Sequence, residues 1–193
     1  MIYSNIYYLP INGCIEGHTT VPPNTKAVQY EAVLPQIIEV SENPDIRGLF
    51  VSINTIGGDV EAGLAIAELI VGINKPTVSL ILGGCHSIGV AIAVSANNTF
   101  IAPSATMTLH PVRMNGTVVG SPQTYGYFDK MQERVDDFVI KHSKISRARL
   151  KELILSTDNI AVEMGTVLVG QEAVREGLID RVGNLNDAKY IIS

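Results

Sequence analysis

Apolar and polar positions along this chain fall into short blocks that change period. Residues 6–11 read as an N-terminal strand, followed by a Pro22-Pro23 loop and a helical stretch over about 25–42 that Asn43-Pro44 closes. Residues 49–54 form a β-rich apolar run ending at Gly57-Gly58, and Asp59 offers a carboxylate N-cap to a helix with Val60, Leu64, Ala67 and Val71 on one face. The same order recurs in the apolar run 78–82, Gly83-Gly84, and a helix over about 87–96. Repeated strand, glycine turn and helix predict an α/β architecture with a mainly parallel sheet, because parallel neighbours need a crossover and helices then cover the faces.

Two short strands follow, around 99–102 and 106–109, before a Gly- and Pro-containing segment over 113–122. From 123 to about 142, Tyr125, Phe128, Met131, Val135, Phe138 and His142 recur at spacings of three and four, with Asp129, Lys130, Glu133, Arg134 and Asp136 between them. That pattern predicts a long amphipathic helix, packed on the core or projecting to a partner subunit. Ser146 caps another helix through 155, and a helix over 171–177 with a strand over 178–182 closes the chain. The whole reads as one domain, 1–193.

Charge changes the picture at one place. No Asp, Glu, Lys or Arg occurs from Pro76 to Val112. A membrane span needs about 20 mostly apolar residues. Here Ser79, Gly83, Gly84, His86, Ser87, Gly89 and Ser95 divide the apolar residues into two short blocks, so a buried strand, a turn and a buried helix are expected and no membrane span. Across the 193 residues, 46% are hydrophobic and 17% charged, which excludes disorder and suffices for a core. The 14 Lys+Arg against 19 Asp+Glu include no basic run, so nucleic acid and anionic membrane surfaces are not expected partners. Cys14 and Cys85 form no disulfide framework and no CxxC site, pointing to a reducing compartment. With no Lys or Arg before Lys26 to make a positive export signal, the expected location is cytoplasmic.

His18, His86, His110 and His142 show no metal-ligand spacing, and neither a Gly-Lys-Ser/Thr loop nor a GxGxxG is present. No metal and no cofactor are expected, and any ATP would be hydrolysed by another protein. The segment Gly83-Gly84-Cys85-His86-Ser87-Ile88-Gly89 sets Ser87 at a predicted helix N-terminus, where free N–H groups favour developing negative charge. An acyl-transfer nucleophile needs such an address, although the spacing is GxxSxG where a nucleophile elbow has GxSxG. By itself the serine would be an N-cap. His110 ends a predicted strand among apolar residues, where a neutral imidazole accepts a serine proton or serves as a hydrogen-bonded core histidine. Gly57-Gly58 could bare the backbone N–H groups that an oxyanion hole requires, or simply turn the chain.

Four segments stand in one order: Ile53-Asn54-Thr55-Ile56-Gly57-Gly58-Asp59; Gly84-Cys85-His86-Ser87-Ile88-Gly89; Thr108-Leu109-His110-Pro111; and Glu172-Ala173 with Gly177-Leu178-Ile179-Asp180. Over nearly the whole chain they resemble the Clp protease proteolytic subunit (ClpP) family, most closely its translocation-enhancing branch. The resemblance implies a ClpP/crotonase-like fold of repeated ββα units, with helices outside the sheet and one long projecting helix at about 123–142. It implies a self-compartmentalising serine endopeptidase acting on peptides or unfolded proteins through an acyl-enzyme. Ser87 would be the nucleophile, His110 the general base and acid, and the N–H groups of Gly57 or Gly58 and of Ile88 the oxyanion hole. Family members stack two rings, commonly heptameric, and the classical ones are gated by a separate ATP-driven unfoldase, which the resemblance makes a possible partner here. The match departs at the third triad member, because the family's aspartate position falls on Gly165. Glu163, two residues away, is the candidate in its place, with Asp158 upstream as the alternative. His86 has no assigned role. Two other readings stay open: a crotonase-like acyl-CoA thioester enzyme, and a catalytically degenerate ring acting as a scaffold.

Overall fold

The computed structural model describes residues 2–3, 5–113, 121–157 and 165–192. Its strands are β1 (Ile2–Tyr3), β2 (Ile6–Glu16), β3 (Ala27–Gln29), β4 (Gly48–Gly58), β5 (Thr77–His86), β6 (Asn98–Ile101), β7 (Thr106–Leu109), β8 (Thr166–Val169) and β9 (Arg181–Val182). Its helices are α1 (Tyr30–Glu42), α2 (Val60–Val71), α3 (Gly89–Val94), α4 (Pro122–Lys141), α5 (Arg147–Leu155), α6 (Gln171–Arg175) and α7 (Leu185–Tyr190). The main sheet runs β1-β2-β4-β5-β6-β9, parallel throughout except for the β1–β2 pair. At its far end β5 also pairs in parallel with β7, which pairs antiparallel with β8. The architecture is the expected α/β one.

The uninterrupted apolar runs of β4 and β5 follow from burial on both faces. On one face Val51, Ile53 and Ile81 pack with Ile37, Ile66, Ile70 and Val90 from α1, α2 and α3. On the other, Phe50, Val78, Leu80 and Phe100 meet Ala188 of α7 and Ile192 beyond it. The sequence pattern does not reveal α7, a helix of six residues. It forms through a capping box, with Asn184 accepting from the Asp187 N–H and the Asp187 carboxylate accepting from the Asn184 N–H. None of the described helices is long and apolar enough to cross a membrane.

Several elements differ from their predicted limits for tertiary reasons. Residues 27–29 are a strand, β3, because they pair with β2, and the helix therefore starts at Tyr30. It stops at Asn43 as expected. Both β4 and β5 continue through their glycines. Between the Ile53–Ile81 and Thr55–Cys85 pairs, Asn54 alone faces Leu82, Gly83 and Gly84. The Asn54 side chain fills the gap, its Oδ1 accepting from the Gly84 N–H at 2.9 Å, and a Cβ on Gly83 would lie 2.5 Å from the same oxygen. The buried face of α2 is rotated from the predicted stripe: Ala62, Ile66 and Ile70 are buried with Leu64 and Ala67, while Val71 faces outward. In a helix apolar nearly all round, periodicity does not select the face.

Three further helix starts obey capping chemistry. Asp59 Oδ1 accepts from the Ala62 N–H at 2.8 Å, and Ser121 and Ser146 cap α4 and α5. Replacing Asp59 with Ala should lower stability by about 1 kcal/mol. The measurement is the denaturant midpoint at unchanged slope, and Asp59→Ser should recover most of the loss, because a serine hydroxyl caps about as well as the carboxylate.

Candidate active site

Strand β5 ends at His86 and α3 begins at Gly89, so Ser87 and Ile88 make the turn between them. The helix is shorter than predicted, and Ser87 precedes it. Ser87 has φ +57°, a left-handed conformation that strains a residue with a side chain. Two bonds hold it there: its N–H donates to the Thr108 carbonyl at 2.9 Å and its own carbonyl accepts from Val90 N–H at 3.0 Å. Gly57 presses on the same turn, where a Cβ would lie 2.7 Å from both Ser87 Cβ and the His86 carbonyl oxygen, so only glycine fits. A strained serine in a sharp strand-to-helix turn is the geometry of a nucleophile elbow.

The two glycines before α2 are not equivalent. The Gly57 N–H donates to Thr55 Oγ1 at 3.0 Å, and that hydroxyl in turn donates to the Gly13 carbonyl at 2.6 Å. Gly57 is therefore committed to an internal bond, whereas Gly58 is exposed at the end of β4 with φ +154°. Ile88 is the N-cap residue of α3, with its side chain buried against Gly63.

His110 lies just past β7. The pairing of Cys85 with Met107 and of His86 with Thr108 brings it alongside Ser87 from across the sequence. Ser87 and His110 line one narrow, mostly apolar cleft together with Ile88, Leu109, Val112, Gln132 and Asp136. No hydrogen bond joins the Ser87 hydroxyl to the His110 ring among the described residues. Instead His110 Nδ1 lies 2.7 Å from the Pro111 carbonyl. A carbonyl only accepts, so Nδ1 carries the proton, and it is Nε2 that has the lone pair whenever the ring is neutral.

Gly165 stands directly across from His110, since Leu109 pairs with Thr166. At φ +126°, a Cβ on Gly165 would lie 2.2 Å from the Leu109 carbonyl oxygen and 2.9 Å from His110 Cβ. The position expected from the sequence for the family's aspartate thus presses bare backbone against the histidine. Glu163 and Asp158 lie outside the described residues.

Sequence reasoning missed three contributors. Thr108 holds Ser87 through its carbonyl and His86 through its hydroxyl, at 2.5 Å from His86 Nδ1. Burial, and then the nearby His110, hold the His86 imidazole below its ordinary pKa, favouring the neutral ring beside the turn. Gln132 and Asp136 on α4 reach the cleft from four residues apart, with Gln132 Nε2 donating to Asp136 Oδ1 at 2.7 Å. The sequence pattern assigns Asp136 to the polar side of that helix. Burial pushes its carboxyl above the usual range, opposed by the Gln132 bond and the Arg147 charge.

The family model for Clp protease matches residues 15–186. The chain is 54% identical over 188 residues to the translocation-enhancing protein TepA of Halalkalibacterium halodurans, covering 97% of this chain and 73% of that one. It is 24% identical over 169 residues to the ATP-dependent Clp protease proteolytic subunit of Lactococcus lactis, covering 82% of this chain and 78% of the other. The corresponding subunit of Streptococcus thermophilus is 25% identical, with 82% and 80% covered. With the match spanning the elbow, the histidine and most of the sheet, the chain belongs to the Clp protease family.

Proposed function

We propose that the chain is a serine-type endopeptidase that cleaves peptides or unfolded proteins through an acyl-enzyme on Ser87. One observation carries the reading: Ser87 sits at φ +57° in a turn pinned to the strand that leads into His110, with both residues on one cleft. His110 takes the Ser87 proton at Nε2 as the hydroxyl attacks the scissile carbonyl, then returns it to the leaving amine. Water repeats the step to release the acyl group. The Ile88 N–H, next along from the nucleophile, and that of Gly58 receive the oxyanion; Gly57, whose N–H serves Thr55, supports the turn. Unliganded sites often hold catalytic hydrogen bonds long, and substrate closes the Ser87–His110 separation. Glu163 remains the sequence candidate for a third member, as the acid nearest Gly165 along the chain.

Relatives named as proteolytic subunits of an ATP-dependent protease support a place in a larger assembly. Stacked rings, commonly heptameric, would enclose the cleft and cover exposed apolar side chains such as Leu82, Tyr125 and Tyr127. A separate ATP-driven unfoldase would then deliver substrate.

A fluorophosphonate should add one adduct by intact mass to wild type, none to Ser87→Ala and little to His110→Ala. Coenzyme A thioester turnover that survives Ser87→Ala would replace the peptidase with a crotonase-like enzyme, and assembled but unlabelled wild type would replace it with a scaffold. Ser87→Gly should abolish labelling yet raise stability by about 1 kcal/mol, read as an upward shift of Tm, because glycine relieves the positive φ. Gly165→Asp should lower the labelling rate or the Tm, since its Cβ has no room beside Leu109 and His110. Faster labelling by Gly165→Asp would show that the aspartate position is open after all.

A further inference from the structure

Three hydrogen bonds, each 2.7 Å long, lead from His110 into α4. His110 Nδ1–H donates to the Pro111 carbonyl, the Val112 N–H donates to Gln132 Oε1, and Gln132 Nε2 donates to Asp136 Oδ1. The Pro111 carbonyl and the Val112 N–H are the two ends of a single planar peptide unit. No cis peptide occurs among the described residues, so these two ends point in opposite directions. Every donor faces an acceptor in the same sense. The dipoles therefore add, each bond polarises the next, and the chain ends on a carboxylate.

This arrangement occupies the role that Gly165 leaves empty. A triad carboxylate keeps the proton on histidine Nδ1 and stabilises the imidazolium that forms when Nε2 takes the serine proton. We propose that Gln132 and Asp136 are positioning residues that do this for His110 through the 111–112 peptide, in place of a carboxylate in direct contact with the ring. The proposal rests on the reading of Ser87 and His110 as nucleophile and base. No proton travels along the chain of bonds: Nδ1 keeps its hydrogen throughout, while Nε2 accepts and returns the one from Ser87. Helix α4 is well placed to carry the pair, since Arg134 ties it to α2 through both carboxylate oxygens of Glu61, at 2.6 and 2.9 Å. Gln132 and Asp136, one turn apart, reach the same cleft.

The test combines two readouts on the full-length protein. In imidazole-15N-labelled protein, with His110 assigned through His110→Ala, wild type should show Nδ1 protonated and Nε2 unprotonated at a pH where the ring is neutral. Gln132→Ala should shift that tautomer toward Nε2–H. It should also slow fluorophosphonate labelling at saturating probe about tenfold, with the half-saturating concentration unchanged. The near-isosteric Asp136→Asn should move both readouts in the same direction by less, and it carries the test if Gln132→Ala fails to fold. An unchanged tautomer and an unchanged labelling rate in both variants would overturn the proposal. A shift in Gln132→Ala without one in Asp136→Asn would overturn the part given to Asp136. Failure of the peptidase reading looks different: wild type would not label at all, while the 15N pattern would still report whether α4 sets the tautomer.

Discussion

The parallel pairing of β5 with β7 is the constraint on which the site depends. Its last bond, from the Ser87 N–H to the Thr108 carbonyl, lies where β5 should release the chain into a helix. By gripping the backbone at that point, β7 holds Ser87 in a left-handed conformation that it would leave if free. The same short strand delivers His110 two residues after Thr108. Ser87 and the His110 imidazole are therefore placed by one piece of sheet, and a shift in its register would displace both.

Holding a non-glycine residue at positive φ costs about 1–3 kcal/mol, so the surroundings must over-determine it. They do so by close packing. Gly57 leaves no room for a side chain against Ser87, and Thr55 fixes Gly57 by accepting its N–H. The first halves of β4 and β5 and the whole of α3 are buried, with Val51, Ile53, Ile81 and Ile92 fully inside. A rigid apolar frame accounts for most of the charge-free stretch from Pro76 to Val112: residues 77–81 and 88–96 are the interior against which a strained turn is braced, where a charge would have no partner.

The histidine is held differently. Its backbone is hemmed in by Gly165, and its ring is oriented by a neutral peptide carbonyl. A carbonyl stabilises an imidazolium less than a carboxylate in direct contact does, which makes whatever polarises that peptide matter. Here the polarising groups come from α4, a helix otherwise joined to the body by the buried Met131, Phe138 and Val139 and by the Arg134–Glu61 pair. Site chemistry and the seating of α4 are thereby coupled through a few hydrogen bonds.

Much of this was legible from residue order. Alternating strands and helices, the Asp59 cap, the stop at Asn43 and the four family segments are local patterns, written by side chains acting on their own backbone or on neighbours a turn away. Short elements such as β3, β8 and α7 were not legible, because they exist by virtue of the strand or surface they lie against. The sequence by itself determined the α/β class, the membership in the family and the candidate serine and histidine. Only the tertiary structure decided that Ser87 is strained, that the Gly57 N–H is engaged, that Gly165 admits no side chain and that His110 leans on Pro111, because each of these depends on distances between backbone atoms far apart in the chain.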